Sequence, residues 1–208
     1  MNLLFDLDCL AKLHACSAFD DALSIFRNEE KRCFYVDTFP FSAKGFERKH
    51  SKANRIHLAS IFHKIADRSL LSGFNELKTD KENMNILGPL TSIPNIDAGE
   101  AILLFYTFHM ENALLLTGDK RFLTAVSENE SAIREVIPTF DRKFIFFLNI
   151  VHRICRNNQA KISMFSTPEA FESDRELMSI FSGTPTLESI TEATNSYTAK
   201  FIPLLFPI

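Results

Sequence analysis

The segment A-L-L-L-T-G-D-K-R limits the folds open to this chain more than any other. Residues 113–116 are apolar without alternation, so a strand formed there has no face left for water. Such a strand belongs in the middle of a parallel sheet, covered by helices on both sides. Thr117-Gly118 reads as the turn that ends it, and Asp119 follows where the next helix begins. The chain opens on a related pattern, L-L-F-D-L-D, in which a buried-looking strand over residues 2–7 ends in Asp6 and Asp8.

The rest of the chain fits that frame. Strands are expected again over residues 33–36 and 143–147. Leu10, Leu13, Ala18, Ala22, Leu23, Ile25 and Phe26 recur with helical spacing and predict one amphipathic helix over 10–27. Ile56, Ala59, Ile61, Phe62 and Ile65 predict another over 54–66. Further helices are expected over 97–110, from 120 onward, and over 148–156. A Pro/Gly-containing loop should run through Gly45, and Gly73 and Gly88-Pro89 bracket a polar region to which no element is assigned. Strands alternating with helices predict an α/β fold, a three-layer sandwich around a central, mainly parallel sheet.

A length of 208 residues points to one domain with a tail. The domain is expected over 1–157 and a helical C-terminal extension over 158–208. The helix candidate of the extension is 166–181, opened by the cap-like S-T-P-E. The closing F-I-P-L-L-F-P-I should pack back on the domain or on a partner.

Composition excludes more than it assigns. The formal charge of −3 does not make the whole chain a polyanion binder. Eight Lys/Arg against four acids over residues 27–55 form a local basic run, and Arg142, Lys143, Arg153, Arg156 and Lys161 form a second. Both could face phosphates, although such runs are more often simply solvated faces. Cys9, Cys16, Cys33 and Cys155 have no C-x-x-C spacing and sit among apolar neighbours, which predicts buried free thiols in a reducing compartment. Acids interrupt the first apolar run, so it is no signal peptide, and no later run approaches the length needed to cross a bilayer. The expectation is a soluble, cytoplasmic protein without membrane association. His14, His50, His57, His63, His109 and His152 show no metal-ligand spacing.

The acids carry the chemistry. If the strands before Asp6 and Asp119 are neighbours, both carboxylates reach one crevice at the carboxyl ends of the sheet. Asp97 and Glu100, in I-D-A-G-E-A, share one helix face. Together they form an oxygen-donor set suited to Mg²⁺ or Mn²⁺. A metal there could activate water and stabilise charge on a phosphate. Each piece also has a plain structural reading. Asp97-x-x-Glu100 is a helix start with a reciprocal cap, and Asp119 or Asp8 could simply cap the helix that follows it.

Taken in order, these stretches resemble the PIN-domain family of metal-dependent ribonucleases. L-L-F-D-L-D-C-L-A-K-L resembles the family's opening strand with its first metal-site aspartate, matched by Asp6. D-A-G-E-A is similar to the acidic start of its later helix, matched by Asp97 and Glu100. L-L-L-T-G-D-K-R is similar to its last acidic strand end, matched by Asp119, and F-D-R-K-F-I-F-F-L-N-I-V resembles its final strand and helix. The resemblance covers roughly residues 1–157. It implies Mg²⁺- or Mn²⁺-dependent cleavage of RNA phosphodiester bonds, often as the toxin of a toxin–antitoxin pair. Asp6, Asp97 and Asp119 would be core ligands, Glu100 a ligand or water-orienting base, and Asp8 a second-tier candidate. An antitoxin-like protein partner and a homodimer are the implied assemblies. Lys120 and Arg121 could hold substrate phosphate, although as surface residues opening a helix they need no such role. Many members carry a further acid on an early helix. Asp37 and Glu47 are the candidates here, neither in a clear motif, with Glu100 able to take part of that role. The departure leaves a binding-only, non-catalytic PIN-like module as an alternative.

A rival class is a haloacid-dehalogenase-like phosphatase, which F-D-L-D resembles, with Asp6 as nucleophile and Asp8 as general acid. The C-L-A after Asp8 and the K-R-F-L-T after Asp119 depart from that family's pattern. A second rival is an interaction module whose acids are caps and whose tail docks a partner.

Overall fold

The two apolar runs that end in acid form adjacent strands at the centre of a five-stranded, all-parallel sheet. This computed structural model describes residues 1–26, 32–36, 70–71, 80–139, 141–168, 170 and 174–208. The strands are β1 (Asn2–Phe5), β2 (Arg32–Val36), β3 (Leu70–Leu71), β4 (Ala113–Thr117) and β5 (Phe144–Phe146), in the order β3-β2-β1-β4-β5. Every residue of β4 is buried, as a strand covered on both faces requires. The expected helix over 54–66 and the loop through Gly45 lie outside the described residues.

The helices among the described residues are α1 (Leu7–Ala15), α2 (Phe19–Ile25), α3 (Lys81–Thr91), α4 (Ala98–His109), α5 (Lys120–Glu128), α6 (Glu130–Val136), α7 (Phe147–Asn157), α8 (Arg175–Phe181) and α9 (Leu187–Thr198). One group packs α7 on α1, α2 and α9, and another packs α3 on α4 and α6. α1 reaches β4 from the first group, and α4 reaches β1, β2 and β4 from the second. This is the α/β arrangement the alternation predicted. None of the helices among the described residues is long and apolar enough to cross a membrane. The four cysteines are free and buried, as expected.

Three expectations are corrected. The single helix over 10–27 is two helices. Ser17 takes a left-handed φ of 52°, its amide donates to the His14 carbonyl at 2.8 Å, and the Ala18 amide donates to Leu13 at 2.7 Å. That pair of bonds ends α1, with serine where glycine is usual, so the sequence carries no stop signal. The strand at the N-terminus is shorter than residues 2–7, because Leu7 already belongs to α1. The polar region to which no element is assigned is helical at its end, where Gly88 and Pro89 lie inside α3, while Gly73 lies outside the described residues. Asp80 caps that helix through the Glu82 amide at 2.8 Å, and Leu87 and Leu90 bury its face. The cap and the burial outweigh the cost of a proline near the end of the helix.

The C-terminal segment differs in detail from expectation. Thr167 accepts from the Ala170 amide at 3.1 Å, as a cap would. The described helix that follows, α8, has its own cap in Asp174, so 166–181 is not one uninterrupted helix. α9, with a Thr186–Ser189 capping box, was not anticipated. The tail packs on the domain. Phe144 donates to Leu204 at 3.1 Å, and Phe206 donates to Phe144 at 2.7 Å, which covers the outer edge of β5.

Candidate active site

In a sheet ordered β3-β2-β1-β4-β5, the strand order reverses between β1 and β4. The crevice beyond the carboxyl ends of such a pair is where ligands of open parallel sheets bind. Asp6 and Asp119 stand at those two ends. The Asp6 amide bonds the Leu116 carbonyl at 2.9 Å, which extends the β1–β4 pairing to the acid itself. The Thr117 hydroxyl then donates to Asp6 Oδ2 at 2.9 Å and accepts from the Asp119 amide at 3.1 Å, linking both strand ends through one side chain.

Asp6 is the residue at which α1 starts, yet its side chain makes no capping bond. Loss of water around it pushes its pKa up to about 7, helped by the Asp8 and Asp119 carboxylates and opposed by the Thr117 hydroxyl. Glu100 behaves alike. Burial pushes it up to about 8, with repulsion from Asp97, Asp6 and Asp119 adding to burial and the Asp97 amide opposing it. Asp6, Glu100 and Asp119 are therefore close enough to repel one another in a partly desolvated crevice.

The capping readings also have a physical basis. Asp97 Oδ1 accepts from the Glu100 amide, and Glu100 Oε2 accepts from the Asp97 amide, both at 2.8 Å. This reciprocal pair starts α4. Asp119 starts α5, accepting from the Arg121 and Phe122 amides at 2.7 and 3.2 Å. Arg121 Nη2 adds a bond to Asp119 Oδ2 at 2.7 Å. Burial alone would raise the Asp119 pKa, but these bonds together hold it below its ordinary value.

Asp8 does not cap α1. It pairs with Lys12 one helical turn on, at 2.5 Å. Lys12 is buried and also contacts Asp174 Oδ2 at 2.8 Å and the Gly118 carbonyl at 3.0 Å. Burial would depress the Lys12 pKa, but Asp8 and Asp174 more than reverse that and raise it. Gly118 has no room for a side chain, since a Cβ there would lie 2.6 Å from Asp8 Oδ2 and 2.9 Å from Lys12 Nζ.

Comparison of the chain with protein-family models, curated proteins and solved structures gave no match. The reading of the site rests on its own residues.

Of the acids singled out in the sequence, Asp6, Glu100 and Asp119 come together. Asp97 joins through Glu100, and Asp8, the carboxylate that acts most strongly on Asp6, is paired with Lys12. Asp37 and Glu47 lie outside the described residues. As the side chains stand, the described residues include no group of three His, Cys, Asp or Glu placed to hold a metal ion. Glu100 is turned onto the Asp97 amide and Asp119 onto Arg121 and the α5 amides, which accounts for this. The donor chemistry nevertheless fits a hard divalent cation, since the crevice offers carboxylates whose mutual repulsion a cation would relieve.

Three of the basic candidates have partners. Lys120 lies 4.6 Å from the Tyr197 ring centre and 3.8 Å from Glu176, and Arg121 is bound to Asp119. Lys161 pairs with Asp21. The run over 27–55 falls outside the described residues except at its strand β2. His109 faces the Phe105 carbonyl at 2.8 Å and stacks on the Phe105 ring, so it is a satisfied histidine. Sequence reasoning missed Lys12 and Asp174. Asp8 and Lys12 are four apart on a helix, an acid-then-base spacing that favours pairing and was there to be read. Nothing in the sequence signals Asp174.

Proposed function

We propose that this chain is a PIN-like, Mg²⁺- or Mn²⁺-dependent ribonuclease acting from the crevice between β1 and β4. The observation that carries the reading is the gathering of Asp6, Glu100 and Asp119 at the strand-order reversal, where two of the three have their pKa values pushed up to about 7 and about 8. Asp6 and Asp119 would hold the cation, oriented by the Thr117 hydroxyl and the α5 amides. Glu100 would leave its reciprocal cap to join them or to take a proton from water, with Asp97 keeping the start of α4 in place. When bound, the metal would activate that water and neutralise charge on the scissile phosphate. RNA is the proposed substrate. A toxin role, an antitoxin-like protein partner and a homodimer extend the same resemblance.

The test is cleavage of a panel of structured and single-stranded RNAs by the full chain, with Mn²⁺, with Mg²⁺ and with chelator. Asp6→Asn and Asp119→Asn should each lower metal-dependent cleavage by roughly 100-fold or more while the fold persists. Asparagine keeps the capping capacity at position 119, so loss there isolates the charge. Full activity in both variants would sink the assignment.

A second reading is supported by the capping bonds of Asp97, Glu100 and Asp119. On it, the domain is a non-catalytic PIN-like interaction module whose acids only start helices. Calorimetric titration with Mn²⁺ separates the two, since a module of this kind takes up no metal at the crevice.

A further inference from the structure

Lys12 is a buried cation in contact with three separate stretches of chain. It meets Asp8 in its own helix at 2.5 Å, the Gly118 carbonyl in the turn after β4 at 3.0 Å, and Asp174 at the start of α8 at 2.8 Å. The Phe147 ring lies 5.8 Å from its ammonium and closes another side. All three ammonium hydrogens have an oxygen acceptor, so the group is fully used.

Two features make this more than a stray ion pair. Gly118 immediately precedes Asp119, and its peptide carbonyl is the one Lys12 holds. A side chain at Gly118 would collide with Asp8 and Lys12, so the turn is built against this cluster. Asp174 is itself fixed, because its other oxygen accepts from the Glu176 and Leu177 amides at 2.6 and 2.9 Å. It is 6% exposed, and it anchors Lys12 to the rigid start of a helix.

We propose that Lys12 and Asp174 are positioning residues, through which the C-terminal segment sets the Gly118–Asp119 turn and keeps Asp8 neutralised beside the Asp6–Glu100–Asp119 crevice. The inference deepens the metal-site reading and rests on it for its functional meaning. Its structural content, a coupling between position 174 and the turn, stands apart from that reading.

Asp174→Asn in the full chain is the discriminating variant. Asparagine caps helices about as well as aspartate, so α8 keeps its start while the charge facing Lys12 is lost. Two quantities are measured in wild type and variant. One is the backbone amide ¹⁵N shift of Asp119, which shares its peptide group with the Gly118 carbonyl, in the metal-free protein. The other is the affinity for Mn²⁺ by calorimetry. The expected result is a displaced Asp119 amide with β4 and β5 amides in place, and Mn²⁺ binding weakened by about 10- to 100-fold. An unmoved Asp119 amide, or an unchanged affinity in a variant of a wild type that binds Mn²⁺, overturns the inference. A wild-type chain that binds no Mn²⁺ removes the metal-site reading alone, and the amide shift then decides the coupling by itself.

Discussion

Two acidic clusters sit side by side at the carboxyl ends of β1 and β4, and they are neutralised in opposite ways. Asp8 and Asp174 share a buried lysine that belongs to the fold. Among the described residues Asp6 and Glu100 have no cation of their own, and both are held toward their protonated forms. Asp119 stands between, paired with an arginine whose side chain is 83% exposed. The difference teaches which carboxylates are structural. An acid with a built-in counter-charge is committed to packing, whereas acids crowded without one are poised for a cation or a proton from outside.

The comparison breaks most directly at Lys12. Lys12→Met keeps most of the apolar stem but leaves Asp8 and Asp174 facing each other and the Gly118 carbonyl without its donor. Removing one partner of a buried ion pair typically costs about 3–5 kcal/mol. The expected result is a loss of that size in denaturant unfolding, with α8 the first element to lose amide protection. A variant as stable as wild type would mean that this cluster is no more structural than the crevice beside it.

How much of this contrast the sequence holds depends on the distance over which each contact is made. The strands were readable because unbroken apolar runs leave few alternatives, and Asp6 and Asp119 were readable because they end those runs. The reciprocal cap of Asp97 and Glu100 was readable as a local pattern, within one turn of helix. Asp174 was not, since its contact with Lys12 spans most of the chain and depends on how the C-terminal segment returns to the sheet. Ser17 hid the break between α1 and α2 because its left-handed backbone is set by the two bonds that close α1, at a residue type that does not advertise it.

Proton linkage sharpens the comparison from the other side. The folded chain holds the Asp6 and Glu100 protons up to about pH 7 and about pH 8, from ordinary values of 3.8 and 4.5. The folded state thus binds more protons than the unfolded chain across that window. The stability these two groups contribute is complete below about pH 4 and is lost as pH rises toward about 8. The two groups repel each other, so the loss is closer to one group's share, on the order of 4 kcal/mol, than to the sum of both, or roughly 8–16 °C in Tm for a chain of this size. Thermal unfolding of the chelator-treated protein from pH 4 to 8 checks it. Added Mn²⁺ should restore stability at the alkaline end and do little at pH 4. A flat profile would mean that the crevice is as well neutralised as the Lys12 cluster.

The smallest expected effect concerns the residue between the two clusters. Arg121→Gln removes a pair with Asp119 that is largely in solvent, and such pairs contribute about 0–1 kcal/mol. Asp119 would keep its bonds from the α5 amides, so α5 should still start at Lys120. What changes is competition, because Arg121 and an incoming cation seek the same carboxylate. Stability should move within error while the affinity for Mn²⁺ rises a few-fold. If affinity falls instead, Arg121 is holding Asp119 in the position a cation needs. The exposed arginine would then belong with Lys12 as a positioning group rather than with the unneutralised crevice.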